Sequence, residues 1–186
     1  MLEWWDTHQK LIARSGLTEE IIDKVSQNNS KIFRDGAGAF LETLNKFKIP
    51  TLIFSAGIGN IISRMLRYNN MEYGNMHIIA NNYTFNKDGS ITPPVEIIHS
   101  FNKNETVLDN YPFSKEIENR PNIILIGNSL GDINMVSPKT DQNVLKIGFL
   151  DKPQNNQLKM FQEGFDVVAT ENTTFEFINE MIKEIN

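Results

Sequence analysis

The stretch Asn122-Ile-Ile-Leu-Ile-Gly-Asn-Ser-Leu-Gly-Asp132 decides the fold that the sequence predicts. Its short apolar run, bounded by Pro121 and Gly127, is typical of a strand buried on both faces of a parallel sheet. The strand leads into a loop with an amide at Asn128 and a carboxylate at Asp132. Ligands of open α/β sheets bind at such strand ends. The loop is therefore a candidate site, and the alternative is a plain turn with Asp132 as a helix N-cap.

On both sides of this stretch, predicted strands alternate with predicted helices. Strands are expected at Thr51–Phe54, Met76–Ala80, Val95–Ile98, Val144–Phe149 and Asp166–Ala169, with a hairpin from Tyr83 to Ile91. Helices are expected over residues 3–15, Ala37–Phe47, Glu105–Leu108, residues 154–163 and Phe175–Ile185. Strands separated by helices favour an α/β fold with a parallel sheet and right-handed crossovers.

The composition excludes several classes of protein. The chain has 186 residues, of which 40% are apolar, and a formal net charge of −5. An acidic chain without a basic block is not expected to bind nucleic acid. Without cysteine it has neither a disulfide framework nor thiolate chemistry. No apolar run approaches the ~20 residues of a membrane span, so we expect a soluble cytoplasmic protein.

Polar groups follow three of the predicted strands. Ser55 ends the first strand, Lys103 lies just past Ile98, and Asp132 follows the apolar run of the opening stretch. Since the carboxyl ends of parallel strands share one edge of a sheet, these side chains are expected to converge. Asp132 and the side-chain carbonyl of Asn128 are oxygen donors of the kind that Mg²⁺ prefers.

The chemistry of this set matches a phosphate group. Ser55 donates a hydroxyl hydrogen bond, and the amides of Ala56 and Gly57 are expected at a helix N-terminus, where an anion is favoured. Lys103 supplies a full positive charge. The alternative for Ser55 is a helix cap, and for Lys103 a solvated surface lysine. The ordered occurrence of all three groups favours the phosphate site.

A dinucleotide-binding fingerprint is the competing interpretation of Gly57-Ile-Gly59. The third glycine of that fingerprint would stand at position 62, which is Ile62. The expected acid after the next strand is replaced by Asn81 and Asn82. The sequence therefore disfavours a dinucleotide site.

Four motifs together are specific: Phe54-Ser-Ala-Gly-Ile-Gly59, Ile98-His-Ser-Phe-Asn-Lys103, Gly127-Asn-Ser-Leu-Gly-Asp132 and Leu145-Lys-Ile-Gly-Phe-Leu150. They resemble the cytosolic 5'-nucleotidase III family, which comprises pyrimidine and 7-methylguanosine nucleotidases among the haloacid dehalogenase-like phosphohydrolases. Met1-Leu-Glu-Trp-Trp5 is similar to the start of the family's cap. The resemblance implies an N-terminal helical cap, residues 1–46, and a Rossmann-like core, residues 47–186.

The resemblance also implies Mg²⁺-dependent hydrolysis of nucleoside 5'-monophosphates through an aspartyl-phosphate. By position, Ser55 and Ala56 would hold the phosphate, and Lys103 would be the catalytic cation that neutralises it. Asn128 falls where the family has a metal-binding aspartate, and Asp132 matches the second acid of that loop. We expect a monomer acting on a nucleoside 5'-monophosphate.

In the cap, the resemblance places Trp5 against the nucleobase. His8 stands where the family has a substrate-contacting serine. A tryptophan face is the best stacking partner for a cationic methylated purine, which favours 7-methylguanosine monophosphate over a pyrimidine nucleotide. The alternative for Trp5 is simple core packing.

Two departures from the family's pattern bear on activity. The family's nucleophile and general acid lie in an Asp-x-Asp-x-Thr motif on a strand before the cap, and no aspartate in these 186 residues has a second aspartate two positions on. We therefore expect the first core strand to be missing from mid-sheet and phosphatase activity to be impaired. A nucleotide-binding module without catalysis, or a truncated fragment, is the alternative. The second departure is the neutral Asn128, which should weaken Mg²⁺ binding.

Overall fold

The computed structural model describes residues 2–28, 32–100, 102–103, 111–136 and 142–185. The helices in these ranges are α1 (Leu2–Arg14), α2 (Glu19–Asn28), α3 (Ala37–Lys46), α4 (Gly59–Tyr68), α5 (Ser114–Ile117), a 3₁₀ helix (Leu130–Met135), α6 (Gln157–Gly164) and α7 (Glu176–Ile185). The strands are β1 (Thr51–Ile58), β2 (Met76–Asn81), β3 (Thr84–Phe85), β4 (Ile91–Thr92), β5 (Asn122–Gly127), β6 (Asn143–Leu150) and β7 (Val167–Thr170). None of the helices in the described ranges combines the length and apolar character that crossing a bilayer requires.

The chain forms two compact units. The first contains Met1–His99 together with Phe175–Asn186, and the second contains Ser100–Thr174. The predicted boundary between a cap and a core at residues 46 and 47 stays a prediction.

In the first unit, β1 and β2 form a parallel pair, with Thr51 opposite Met76 and Phe54 opposite Ile79. The crossover between them is α4, which contacts β2 on one side and α2 on the other. Arg64 of α4 binds α2 through its Nε, which lies 2.5 Å from the Asp23 carboxylate. The predicted hairpin is confirmed as β3 and β4, which pair antiparallel.

The last helix of the chain also belongs to the first unit. α7 contacts α3, and the rings of Phe40 and Phe175 lie 5.3 Å apart. The side chain of Asn179 donates to the Gly36 carbonyl at 3.1 Å. Gly36 has a φ of 82°, a left-handed conformation that glycine adopts without strain, and it precedes α3 as its N-cap. The apolar core of this unit includes Ile22, Phe40, Leu44, Leu66, Ile79 and Ile178.

The second unit is organised around a three-stranded parallel sheet in the order β5, β6, β7. A cluster of Leu125, Leu150, Phe161 and Phe165 fills its core. A Cβ at Gly148 would lie 2.8 Å from the ring of Phe165, the residue after α6, so this ring can approach β6 this closely only at a glycine. The apolar run of the opening stretch is thus confirmed as a strand, although its outer residue Asn122 is exposed.

Two predicted elements had different outcomes. The strand predicted at Val95–Ile98 is wrong, because these residues form no strand. The backbone N–H and carbonyl of Ile98 bind the side chain of Asn81 instead of a neighbouring strand.

The helix predicted at Glu105–Leu108 lies outside the described residues. In the part of the chain that the structure describes, β1 pairs only with β2, and β5 only with β6 among the strands.

Candidate active site

Residues 127–132 run from the last residue of β5 into the 3₁₀ helix, and this segment is named the Asp132 loop. It folds back sharply over the end of its strand, since a Cβ at Gly127 would lie 2.6 Å from the Cβ of Asp132. Ser129 is the N-cap of the 3₁₀ helix and forms a reciprocal capping box with Asp132. The alternative of Asp132 as the N-cap is therefore wrong, because Asp132 stands three positions into the helix. Gly127 and the capping box together place the Asp132 carboxylate against the backbone of residues 128 and 129.

Asp132 and Lys103 form a buried ion pair. The Lys103 ammonium donates to Oδ1 of Asp132, and the two side chains are 12% and 5% exposed respectively. The other carboxylate oxygen, Oδ2, accepts the backbone N–H groups of Asn128 and Ser129, each at 3.0 Å. The alternative of Lys103 as a solvated surface lysine is therefore wrong. The structure brings these two predicted site residues together.

Opposing effects act on the pKa of the Asp132 carboxyl group. Burial alone would raise the pKa, because a charge is less stable away from water. The hydrogen bond and positive charge of Lys103, with smaller contributions from the Asn128 N–H and Ser129, outweigh burial and lower the pKa below its ordinary value. Asp132 is therefore ionised at neutral pH, and it holds Lys103 in place as an acceptor.

The oxygen donors of the Asp132 loop fit part of a Mg²⁺ site. Mg²⁺ is usually bound by one or two carboxylates, with water and substrate phosphate completing an octahedron. Asp132 supplies one ionised carboxylate, and the exposed Asn128, four positions earlier in the chain, carries an amide oxygen. Among the described residues, no three histidines, cysteines or carboxylates group around one point. Asp132 would also have to share its oxygens with Lys103 and the two amides.

The segment around Ser55 differs from the prediction. β1 continues through Ser55, Ala56 and Gly57 to Ile58, with an irregular register between Phe54 and Ile58. The amides of Ala56 and Gly57 were expected at a helix N-terminus, which is wrong because both residues lie in β1 and α4 begins at Gly59.

Ser55 is not a helix cap either. Its Oγ accepts the Gly57 N–H at 3.1 Å, while Ile58 occupies the N-cap position of α4. The hydroxyl hydrogen of Ser55 stays available for donation, since this bond uses an oxygen lone pair. A hydroxyl donor at this turn is the feature that an anion would use.

Asn81 is a structural residue of this region whose role the sequence did not reveal. It is 1% exposed, and its side-chain amide donates to the carbonyls of Ala56 and Ile98, both at 2.8 Å. Its Oδ1 accepts the Ile98 N–H at 2.9 Å. Asn81 thus joins the end of β1 to the segment before Lys103. Its only signal in the sequence was a polar residue ending an apolar strand.

Four aromatic side chains of the first unit, Trp4, Trp5, His8 and His99, form what is called the aromatic cluster. The Trp5 and His99 rings are stacked, with centroids 5.5 Å apart and planes at 14°. Trp4 stacks on His8 at 5.3 Å and meets Trp5 edge-on at 4.7 Å. Trp5 is half-buried, whereas His99 is 7% exposed and Trp4 is 60% exposed.

The two predicted substrate-binding residues of α1 both belong to this cluster. Nδ1 of His8 is buried and has no hydrogen-bond partner among the residues that the structure describes. The next residue, Gln9, accepts a hydrogen bond from the buried Tyr83 hydroxyl, which anchors α1 to the chain after β2. Trp5 therefore packs against other rings, and His99 lies over part of one of its faces. Its contact with a nucleobase stays a prediction. A base could stack only on the opposite face.

The predicted site residues fall in different units. Trp5, His8 and the Ser55–Gly57 segment belong to the first, whereas Lys103, Asn128 and Asp132 belong to the second. The convergence of Ser55 with Lys103 and Asp132 stays a prediction.

Known proteins are similar to the chain over all or nearly all of its length. A model of the pyrimidine 5'-nucleotidase (UMPH-1) family matches residues 1–186. The 7-methylguanosine phosphate-specific 5'-nucleotidases of Mus musculus and Homo sapiens are each 32% identical over 187 residues, and that of Drosophila melanogaster is 33% identical over 181 residues. These matches cover 100%, 100% and 95% of the chain, but 62%, 62% and 56% of the relatives. The chain thus spans less than two thirds of their length.

Solved structures share the fold. The crystal structure of cytosolic 5'-nucleotidase IIIB bound to cytidine matches 100% of the chain and 65% of its own, with a TM-score of 0.83 and 30% identity. A phosphoserine phosphohydrolase-like protein from Francisella tularensis matches 96% of the chain and 76% of its own, with a TM-score of 0.62. At 20% identity, the second likeness concerns the fold alone. The predicted haloacid dehalogenase-like α/β fold is confirmed, as is the resemblance that the four motifs indicated.

Proposed function

The chain belongs to the pyrimidine 5'-nucleotidase (UMPH-1) family, and on this basis we propose that it serves the hydrolysis of nucleoside 5'-monophosphates to nucleoside and phosphate. The observation that carries the proposal is the buried Lys103–Asp132 pair at the carboxyl end of β5. A fixed ammonium in a water-poor place stabilises a phosphate dianion more strongly than a mobile surface lysine does. Asp132 holds that ammonium in position without neutralising it by proton transfer.

The roles of the remaining phosphate-binding residues follow from their donors. The Ser55 hydroxyl binds a phosphate oxygen, and the backbone of Ala56 and Gly57 shapes the turn that presents it. The hydrogen bond that the Asn81 side chain donates to the Ala56 carbonyl holds this segment in place. We propose that this segment orients the phosphate. For Lys103, compensation of the phosphate charge is proposed from its buried pairing with Asp132 alone.

Mg²⁺ is typical of this family. When bound, it would neutralise the negative charge of the substrate phosphate. We propose Asp132 and Asn128 as its protein ligands in this chain. The amide at Asn128 provides one negative charge fewer than a carboxylate, so this loop should bind Mg²⁺ weakly.

Base recognition is proposed for α1. Trp5 stacks on the base through the face opposite His99, and the unpartnered Nδ1 of His8 supplies one polar group. The mammalian relatives are named for 7-methylguanosine phosphate. A cationic purine gains most from a tryptophan face, so we propose 7-methylguanosine 5'-monophosphate ahead of a pyrimidine nucleotide. The protein is proposed to be a cytoplasmic monomer.

A nucleotide-binding module without turnover is the second candidate. It is favoured by the lack of an Asp-x-Asp pair in these 186 residues, because no aspartate then has the neighbouring acid expected of nucleophile and general acid. Both candidate functions include binding of a nucleoside 5'-monophosphate, and only the first includes hydrolysis of its phosphate ester.

Calorimetry and a phosphate-release assay test both. The protein of residues 1–186 is titrated with 7-methylguanosine and cytidine 5'-monophosphates in Mg²⁺ buffer, and phosphate release is followed in parallel. We expect binding heat for at least one nucleotide, weaker binding for Ser55→Ala, and unchanged binding for the control Ser63→Ala on α4. We also expect little or no phosphate release. Absence of heat for both nucleotides would contradict the binding function, and robust Mg²⁺-dependent release would contradict the expected impairment.

A further inference from the structure

We propose that His99 is a positioning residue, which fixes the Trp5 indole so that one defined face is presented to the nucleobase. The inference rests on the proposed function of Trp5, and it assigns a role to a residue that lies far from Trp5 in the sequence. The observation behind it is the parallel stacking of the two rings.

Ring geometry distinguishes His99 from the other neighbours of Trp5. The His99 plane is inclined by 14° to the indole, at a centroid distance of 5.5 Å. Trp4 and His8 meet Trp5 at 87° and 83°. A parallel neighbour lies over one face of the indole, and at a centroid distance of 5.5 Å the imidazole is offset and overlies part of that face. A perpendicular neighbour meets the indole through an edge. His99 therefore occupies one face of Trp5, and a base would use the other.

His99 is itself held in place by its chain neighbour. The backbone N–H and carbonyl of Ile98 both bind the side chain of the buried Asn81. Ile98 is 2% exposed and His99 is 7% exposed. The motion of such a ring is restricted by burial and by the hydrogen bonds of the preceding residue. A neighbouring ring that packs against it is therefore restricted as well.

The expected effect on binding follows from side-chain entropy. Immobilising a mobile side chain on binding lowers affinity, and a preorganised side chain avoids that loss. Without the His99 ring, Trp5 would have to be ordered by the nucleotide, and affinity should fall about threefold to tenfold. A ring of similar shape at position 99 should retain most of the affinity.

The experiment uses a Trp4→Phe parent, in which Trp5 is the single tryptophan because the chain has two. His99→Leu and His99→Phe are introduced into this parent, with His77→Leu on β2 as the matched control. Near-ultraviolet circular dichroism reports whether the Trp5 ring is held in a fixed environment. Calorimetry reports the affinity for cytidine and 7-methylguanosine 5'-monophosphates. Urea unfolding establishes that each variant is folded.

We expect His99→Leu to lose the Trp5 dichroism band and to bind nucleotide about threefold to tenfold more weakly. His99→Phe and His77→Leu should keep the band and bind within about twofold of the parent. The proposal is overturned if His99→Leu keeps both the band and the affinity, or if His99→Phe loses as much as His99→Leu. If the parent binds no nucleotide, the proposed function fails, and the dichroism band alone then decides whether His99 positions Trp5.

Discussion

In the Asp132 loop both oxygens of a buried carboxylate accept N–H donors, whereas in the aromatic cluster the rings contact one another. Nδ1 of His8 in that cluster has no hydrogen-bond partner within the described ranges. The first region is thus ordered by charge and directional hydrogen bonds. The second is ordered by ring contacts, which tolerate changes of angle and distance at small cost. The two regions should therefore respond differently to the loss of a single side chain.

This difference has an energetic consequence. Removing one partner of a buried ion pair leaves an uncompensated charge away from water, which is costly. Removing one ring from a half-exposed cluster mainly loses contact area. Perturbing the Asp132 loop should therefore cost more free energy than perturbing the aromatic cluster.

Lys103→Met should have the largest effect on stability. The Asp132 carboxylate would keep its two amide donors but lose its cation, and the free energy of unfolding should fall by about 3–5 kcal/mol. Urea denaturation at neutral pH measures this change. Lys10→Met is the control, because Lys10 pairs with Asp6 on the exposed surface of α1, where such pairs contribute about 0.2–1 kcal/mol. Equal losses in the two variants would show that burial of the Lys103 pair has no energetic weight.

Acid should destabilise the protein through the same carboxylate. Since the pKa of Asp132 is lower in the folded chain than its ordinary value, protonation is easier in the unfolded chain. The stabilisation is therefore complete above the ordinary aspartate pKa, about 4, and is lost as the pH falls through the lowered folded value. Urea midpoints measured from pH 6 to pH 2.5 should fall in this acidic range. In Asp132→Asn this part of the pH dependence should disappear, and its persistence would assign the acid sensitivity to other groups.

Asn128→Asp should strengthen Mg²⁺ binding at the Asp132 loop. One added carboxylate at an exposed position raises the attraction for a divalent cation by 1–2 kcal/mol, which is roughly tenfold in affinity. Calorimetric titration of Mg²⁺ without nucleotide measures the affinity directly. Asn134→Asp, an exposed substitution farther along the 3₁₀ helix, is the matched control and should change Mg²⁺ affinity little. If both variants gain equally, the effect is a general one of net charge.

Trp4→Ala should have the smallest effect. Trp4 is 60% exposed and contributes ring contacts with Trp5 and His8, so we expect a loss of about 0.5–1.5 kcal/mol in unfolding free energy. Leu11→Ala, at 61% exposure on the same helix, controls for the loss of surface contact. A loss above about 3 kcal/mol for Trp4→Ala alone would mean that the cluster is as rigidly specified as the Asp132 loop.

Local patterns predicted most elements of the fold. The apolar run before Gly127 predicted β5, and apolar residues at helical spacing predicted α1 and α7, because both periodicities are properties of neighbouring residues. The errors lie where a tertiary contact replaced a local preference. Val95–Ile98 has strand-forming residues, but the Asn81 side chain satisfies the Ile98 backbone that a strand neighbour would otherwise bind.

The sequence predicted several residues of the candidate site, but it did not predict most of the contacts between them. Lys103 and Asp132 were proposed from strand-end position and motif resemblance, and the structure brings them together. The amides of Ala56 and Gly57 were assigned to a helix turn, but β1 continues past them to Ile58. β1 continues past an irregularity in its pairing with β2. Such an irregularity depends on how the two strands align, and the sequence of β1 alone does not determine that alignment.

The sequence by itself determined the alternation of strands and helices, the polar loop after β5 and the family to which its motifs belong. Only the tertiary structure decided that Asp132 pairs with Lys103, that Asn81 holds Ile98, and that His99 lies under Trp5. The physical reason is range. Periodicity and turn chemistry act over a few residues, whereas the partner of a buried charge or a ring is chosen by the folded chain, which must satisfy every buried polar group at once.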